Sequence, residues 1–212
     1  MSEPDVALTN LVIVIQSLAF ACACARRPRS VLRDALIAFF TASATASATA
    51  AIVHGFLSDP GDAGHAALWS VTMLSVVLAS AALCVAAGEL GRTPGAGRSR
   101  RLRMIAFVAA CLAAAILLGA RNFALGVAAY SAASLWLAAA LVAHWRRRRS
   151  PPLLAGAAGL VLAIAAGVLQ QRGHSPVPDL LSHNAWYHVL QIAALAAFFL
   201  GCREVLAERR GG

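Results

Sequence analysis

The sequence predicts an all-α, polytopic membrane protein: one integral membrane domain over residues 1–212, built as a seven-helix bundle with its N-terminus outside and its C-terminus inside. Three observations carry that reading. Hydrophobic residues make up 60% of the chain and charged residues only 13%, where soluble domains carry about 25% charged residues. A soluble domain of this size could not hide so much apolar surface, and a disordered chain would not contain it. Seven stretches reach the roughly 17–25 apolar residues a spanning helix needs. Sixteen of the eighteen arginines fall in alternate connections between those stretches, and there is no lysine.

The spans are expected at about 6–25, 31–57, 66–90, 104–120, 122–145, 153–170 and 185–207. The first follows an acidic start, Met1-Ser-Glu-Pro-Asp, which lacks the basic region and cleavage site of a secretory signal, so it is read as a retained helix. The second opens after Arg26, Arg27 and Arg29, with Arg33 and Asp34 in its first turn. It alternates small residues through Thr41, Ser43, Thr45, Ser47 and Thr49. Their size and the helical length around them favour close helix packing over a strand. Arg92, Arg98, Arg100, Arg101 and Arg103 follow the third span, and Glu89 near its end is expected at the interface, paired with Arg92. Arg146, Arg147, Arg148 and Arg149 follow the fifth span; Arg203, Arg209 and Arg210 close the chain. Only Arg121 and Arg172 lie on the other side. Positive loops stay inside, which sets the orientation. The pI near 10.9 is then a topological signal, with anionic lipid head groups as partners and no nucleic acid. Arginine without lysine, beside abundant alanine and glycine, points to a GC-rich genome and a bacterial inner membrane.

The five cysteines lie in the spans or near their inner ends and read as apolar filler without disulfides. Gln16 and Tyr130 read as interhelical hydrogen-bonding groups. The histidines are the more informative set. His54 ends the second span, His65 opens the third, His174 lies in the last outer loop, and His183 and His188 flank the start of the seventh. All five fall on the outer side, away from most arginines. Imidazole within an apolar helix is costly and marks a site, and neutral imidazole ligates zinc well. Ser43, Ser47 and His54 share a stripe of the second span, because spacings of four and seven return to one helix face. Ser182 suits a helix N-cap. Asn184, His188 and Gln191 share a face of the seventh span. His183 lies about 140° from His188 on a regular helix, so both meet one ion only if His183 sits on an irregular helix entry.

A histidine ending the second of seven helices and a histidine pair opening the last resembles the superfamily of alkaline ceramidases and progestin/adipoQ receptors, known as CREST, with a degenerate motif. The resemblance rests on the span count, on His54-Gly55-Phe56 and on the stretch from His183 to His188. It implies an uncharacterised bacterial relative of membrane hydrolases whose zinc is held by one histidine of helix two and two of helix seven. Carried over, it gives His54, His183 and His188 as zinc ligands, with Asn184 and His65 as alternatives. Asn184 stands where the family's first seventh-helix histidine is expected. A zinc-bound hydroxide would attack the amide or ester of a lipid substrate, with Asp59, Asp62 or His65 as general base.

Two other readings stand beside that one. His54 and His188 could be axial ligands of a haem in an electron-transfer protein. Alternatively the histidines are hydrogen-bonded core or interface residues of a structural, sensor or interaction protein.

Overall fold

The computed structural model describes residues 3–91 and 123–208. Six α-helices make up the described chain: α1 (Pro4–Ala25), α2 (Val31–Phe56), α3 (Ala63–Leu90), α4 (Phe123–Arg148), α5 (Pro151–Gln171) and α6 (His183–Glu208). They correspond to the first, second, third, fifth, sixth and seventh expected spans. The expected fourth span at 104–120, the arginine-rich connection before it, Cys111, Arg121, Arg209 and Arg210 lie outside the described residues. All six helices are long and apolar enough to cross a membrane.

Local chemistry sets the helix starts. Pro4 opens α1, and Pro151 and Pro152 open α5, where a missing N–H costs nothing. Ser30 caps α2 by accepting from the Arg33 amide at 3.1 Å, and the Ser182 hydroxyl accepts from the Ala185 amide at 3.2 Å at the start of α6, in the role its sequence position suggests. Asp62 caps α3 through the Gly64 amide, which brings that helix three residues earlier than the apolar run alone indicates. The turn between α4 and α5 passes through Arg149 at φ 57°. Its amide donates back to the Trp145 carbonyl at 2.7 Å and its guanidinium lies 5.1 Å from the Trp145 ring centroid, a left-handed helix end held without glycine.

The helices close into a ring in chain order, with α6 packing back on α1. Side-chain ties fix their directions. Glu3 meets His54 and Asp5 meets Ser182, so the start of α1, the end of α2 and the start of α6 share one end, called here the histidine end. Ser150 donates to Glu204, which joins the α4–α5 turn to the last turns of α6 at the opposite, arginine end. A Cβ on Gly126 would meet Met73 and Val76 at ordinary contact distance, so α4 begins beside the first half of α3. Neighbours α3 and α4 therefore run parallel, as do α6 and α1 where the ring closes, whereas the other adjacent pairs are antiparallel.

The middle of the ring and its arginine end are filled by Phe20, Phe39, Phe40, Phe198 and Phe199. Phe20 and Phe199 stack at 4.0 Å, and Phe39 and Phe198 meet edge to face at 5.3 Å. Apolar side chains such as Leu8, Ile15, Leu78 and Val161 lie exposed on the outer surface of the helices. The closest backbone approach comes from glycines of α5 and α6, not from the hydroxyl stripe of α2. A Cβ on Gly156 would lie 2.9 Å from the Gly201 Cα, and one on Gly159 would lie 2.5 Å from the Ala194 carbonyl oxygen. Ser43, Thr45 and Thr49 instead return their hydroxyl protons to carbonyls of α2 itself, and Thr49 also meets Thr72 of α3 at 2.7 Å. Gln16 does bridge helices, donating to the Ile192 carbonyl at 3.0 Å. Glu89 is buried in the last turn of α3, and its expected partner Arg92 lies outside the described residues. Cys22, Cys24 and Cys202 are free thiols.

Because backbone, not a movable side chain, blocks Gly159, Gly159→Ala is expected to destabilise the bundle by about 1–3 kcal/mol. A Cβ on Gly167 meets nothing within 4 Å, so Gly167→Ala is expected to unfold at or above the wild-type temperature. Thermal unfolding of both variants in the same detergent checks the contrast.

Candidate functional site

Toward the histidine end the phenylalanine filling stops and a half-open cavity of about 170 Å³ lies among the helices. All six described helices line it. Asn10 and Ile13 come from α1, and Ser43, Ser47, Ala50 and His54 from α2. Trp69, Thr72 and Met73 come from α3, and Gly126, Tyr130 and Ser131 from α4. Gly167 and Gln170 come from α5, and Tyr187, His188, Gln191 and Leu195 from α6. The stripe of Ser43, Ser47 and His54 read from spacing is thus the face that α2 turns inward.

The first turns of α1 organise this end. The Glu3 carboxylate accepts from His54 Nδ1, and the Glu3 amide donates to the His54 carbonyl at 3.2 Å. Asp5 accepts from the Ser182 amide at 2.8 Å, placing a carboxylate at the start of α6. Thr9 Oγ1 and Asn10 Nδ2 reach His188 Nδ1 at 3.1 and 3.3 Å. Across the ring, Gln191 Nε2 donates to the Ala163 carbonyl at 3.0 Å and Gln170 Nε2 to Asn184 Oδ1 at 3.1 Å. Polar groups inside an apolar bundle are costly unless paired, and these pairs tie α1 to α2 and α6, and α5 to α6.

Two of the three expected zinc ligands, His54 and His188, come to the one cavity. His183 does not: it sits exposed on the first turn of α6. Asn184 is turned to Gln170, and its oxygen is already accepting a hydrogen bond. His65 lies away from the lining, donating from Nδ1 to the Leu57 carbonyl at 2.6 Å and stacking on Trp69. The edge of His54 meets the same indole at 6.4 Å, so Trp69 touches both rings. The expected bases Asp59 and Asp62 are exposed and occupied locally, with Asp59 accepting from the Gly61 amide and Asp62 capping α3. Among the described residues, no group of three or more histidine, cysteine, aspartate or glutamate side chains is arranged to hold a metal ion. The donor set therefore does not fit the tetrahedral zinc that three converging protein ligands and water would make. Nor does the cavity fit haem: it is smaller than the about 300–1,000 Å³ of pockets for drug-sized ligands, and a porphyrin is larger still.

Glu3, Asp5, Thr9, Asn10 and Gln170 belong to the site although sequence reasoning did not select them. Asn10 carried a usable signal, an amide within an apolar span, which implies an interhelical partner. Glu3 and Asp5 carried none, since an acidic N-terminus reads equally well as solvated chain.

Asp5→Ala removes a charge-assisted acceptor at the start of α6 and is expected to cost about 1–2 kcal/mol. Thermal unfolding measures the loss, and hydrogen exchange should rise at Ser182 and the first turn of α6. In protein purified without chelators, metal analysis is expected to find well under one zinc per chain, and EDTA should leave the unfolding temperature unchanged.

Comparison with known proteins places the chain in a family without adding a chemistry. None of the curated proteins matches it, and none of the solved structures does. Residues 6–207 match DUF6962, a family of unknown function, and the match runs through all six described helices. The chain belongs to the family of unknown function DUF6962.

Proposed function

We propose that this protein is a seven-crossing protein of a bacterial plasma membrane that binds a small polar ligand at its outward end, as a sensor or binding protein without hydrolytic chemistry. The observation that carries the reading is the cavity itself. In a chain that is 60% hydrophobic, all six described helices line one space, and each brings a hydroxyl, imidazole, amide or indole to its otherwise mostly apolar wall. A bundle held together only by packing gains nothing from an unfilled space, because the side chains around a void forfeit the contacts of a filled core. An apolar cavity of similar size, roughly 150 Å³, holds benzene, which sets the scale of the occupant at a handful of heavy atoms, or a few ordered waters.

Topology supports the outward placement. Arg26, Arg27, Arg29, Arg33, Arg146, Arg147, Arg148, Arg149 and Arg203 gather at the arginine end, and Arg172 alone of the described arginines lies at the other. That asymmetry favours an arginine end that faces inside. The parallel run of α3 and α4 supports the seventh crossing: the chain leaves α3 at the arginine end and enters α4 at the histidine end. The apolar stretch at 104–120 supplies the length to cross between them. The zinc-hydrolase reading needs a third ligand that neither His183, Asn184 nor His65 supplies, so two imidazoles on one cavity favour ligand binding over hydrolysis.

Native mass spectrometry of protein extracted from its own membranes tests the binding role. One small molecule bound per chain is expected, lost in Ser47→Leu, which fills the cavity, and retained in Ser58→Leu, which lies outside it. Equal spectra for wild type and Ser47→Leu would sink the reading. For orientation, single cysteines are introduced after the native ones are replaced. Asp179→Cys is expected to react with an impermeant maleimide in intact cells, and Arg147→Cys only after permeabilisation. The reverse pattern would invert the topology.

A further inference from the structure

We propose that Asn10 is a positioning residue that holds His188 in one tautomer, with the proton on Nε2, so that the cavity presents a hydrogen-bond donor there and takes a ligand bearing an oxygen acceptor such as a carbonyl. The second half of this inference rests on the reading of the cavity as a ligand site; the first half stands on the protein alone.

Asn10 is buried, at 2% exposure, and its Nδ2 lies 3.0 Å from the Val6 carbonyl oxygen and 3.3 Å from His188 Nδ1. An amide nitrogen has two protons and no lone pair to offer. One proton goes to Val6 and the other points at the imidazole. Turning the amide over would set its oxygen against the Val6 carbonyl oxygen, two acceptors at 3.0 Å with no proton between them. Asn10 therefore donates to His188 Nδ1, and Nδ1 has to be the bare nitrogen. Thr9 fits either tautomer. Its hydroxyl lies 3.1 Å from Nδ1 and 2.8 Å from the Asp5 carbonyl, and it rotates to donate to whichever is the acceptor. The amide decides and the hydroxyl follows.

A neutral imidazole with a bare Nδ1 carries its proton on Nε2. A metal-binding histidine usually shows the opposite arrangement at the nitrogen away from the metal, donating that N–H to a carboxylate or carbonyl. Here the nitrogen turned to α1 faces a donor. The same contact thus accounts for two findings: His188 is not oriented as a zinc ligand through Nε2, and it offers the cavity an N–H. Among the described residues, the lining includes no carboxylate that would take that proton.

The test is imidazole ¹⁵N–¹H correlation NMR on ¹⁵N-histidine-labelled full-length protein in nanodiscs at neutral pH, with the His188 signals identified by their loss in His188→Gln. The Nε2–H pattern is expected in wild type. Asn10→Asp replaces the donor by an acceptor and is expected to convert the signal to the Nδ1–H pattern, while Asn10→Ala lets both tautomers appear. An Nδ1–H pattern in wild type overturns the assignment, as does a wild-type pattern unchanged in Asn10→Ala. The ligand class is read with two probes of one shape, cyclohexanone and methylenecyclohexane, titrated against the same nanodiscs with empty nanodiscs subtracted. Cyclohexanone is expected to bind about tenfold more tightly, as one buried hydrogen bond allows, with the preference lost in His188→Phe. Equal binding of the two probes overturns the acceptor-bearing ligand. The absence of any co-purified ligand would count against the binding role and leave the tautomer result intact.

Discussion

Polar groups within a bilayer have to find their partners inside the protein, and that requirement organises the histidine end of this ring. Lipid gives no water to a stray amide or imidazole, and toward the histidine end most polar side chains are tied to a neighbouring helix or turned back on their own. Glu3, Asp5, Thr9 and Asn10 make four ties from little more than two turns of α1. Those ties run to the end of α2 and the start of α6. The arginine end is held differently, by stacked phenylalanines and by glycines that bring α5 and α6 into backbone contact. One half of the ring is packed and the other is wired, and the cavity lies in the wired half.

This division explains why the histidines do not form the site their spacing suggests. His54 and His188 come together because helix periodicity and the inward stripe of α2 bring them there. His183 stays out because α6 begins at that residue, with Ser182 as its cap, so no irregular entry folds it back toward His188. His65 and Asp62 belong to the opening turn of α3, where capping and the Leu57 carbonyl occupy them. Competition from local hydrogen bonds, not distance along the chain, removes them.

Much of the architecture was legible in the sequence, for a physical reason. Apolar length and arginine asymmetry are averages over many residues, so they survive any detail of packing. The six described helices fall where apolar runs predict them, to within a few residues. Ser182 as a cap, Gln16 as an interhelical donor and the inward stripe of Ser43, Ser47 and His54 were also readable, since each depends on near neighbours or on helix periodicity. The ties of α1 were not readable. Asp5 to Ser182 and Asn10 to His188 join residues almost the full chain apart, and no spacing rule reaches across a ring closure. The backbone contact of Gly159 on α6 was hidden too, because the chain is rich in glycine and alanine and nothing local distinguishes that glycine from Gly167.

The central claim is that a small cavity at the histidine end, lined by His54 and His188 together, takes a small polar ligand. An experimental structure in nanodiscs, by cryo-electron microscopy with a rigid fiducial at side-chain resolution, tests it most directly. The account predicts both imidazoles on one cavity, with non-protein density within hydrogen-bond reach of His188 or Gln191. A ring in which Ile13, Met73 and Leu195 close on one another and leave no space between the two imidazoles would contradict it.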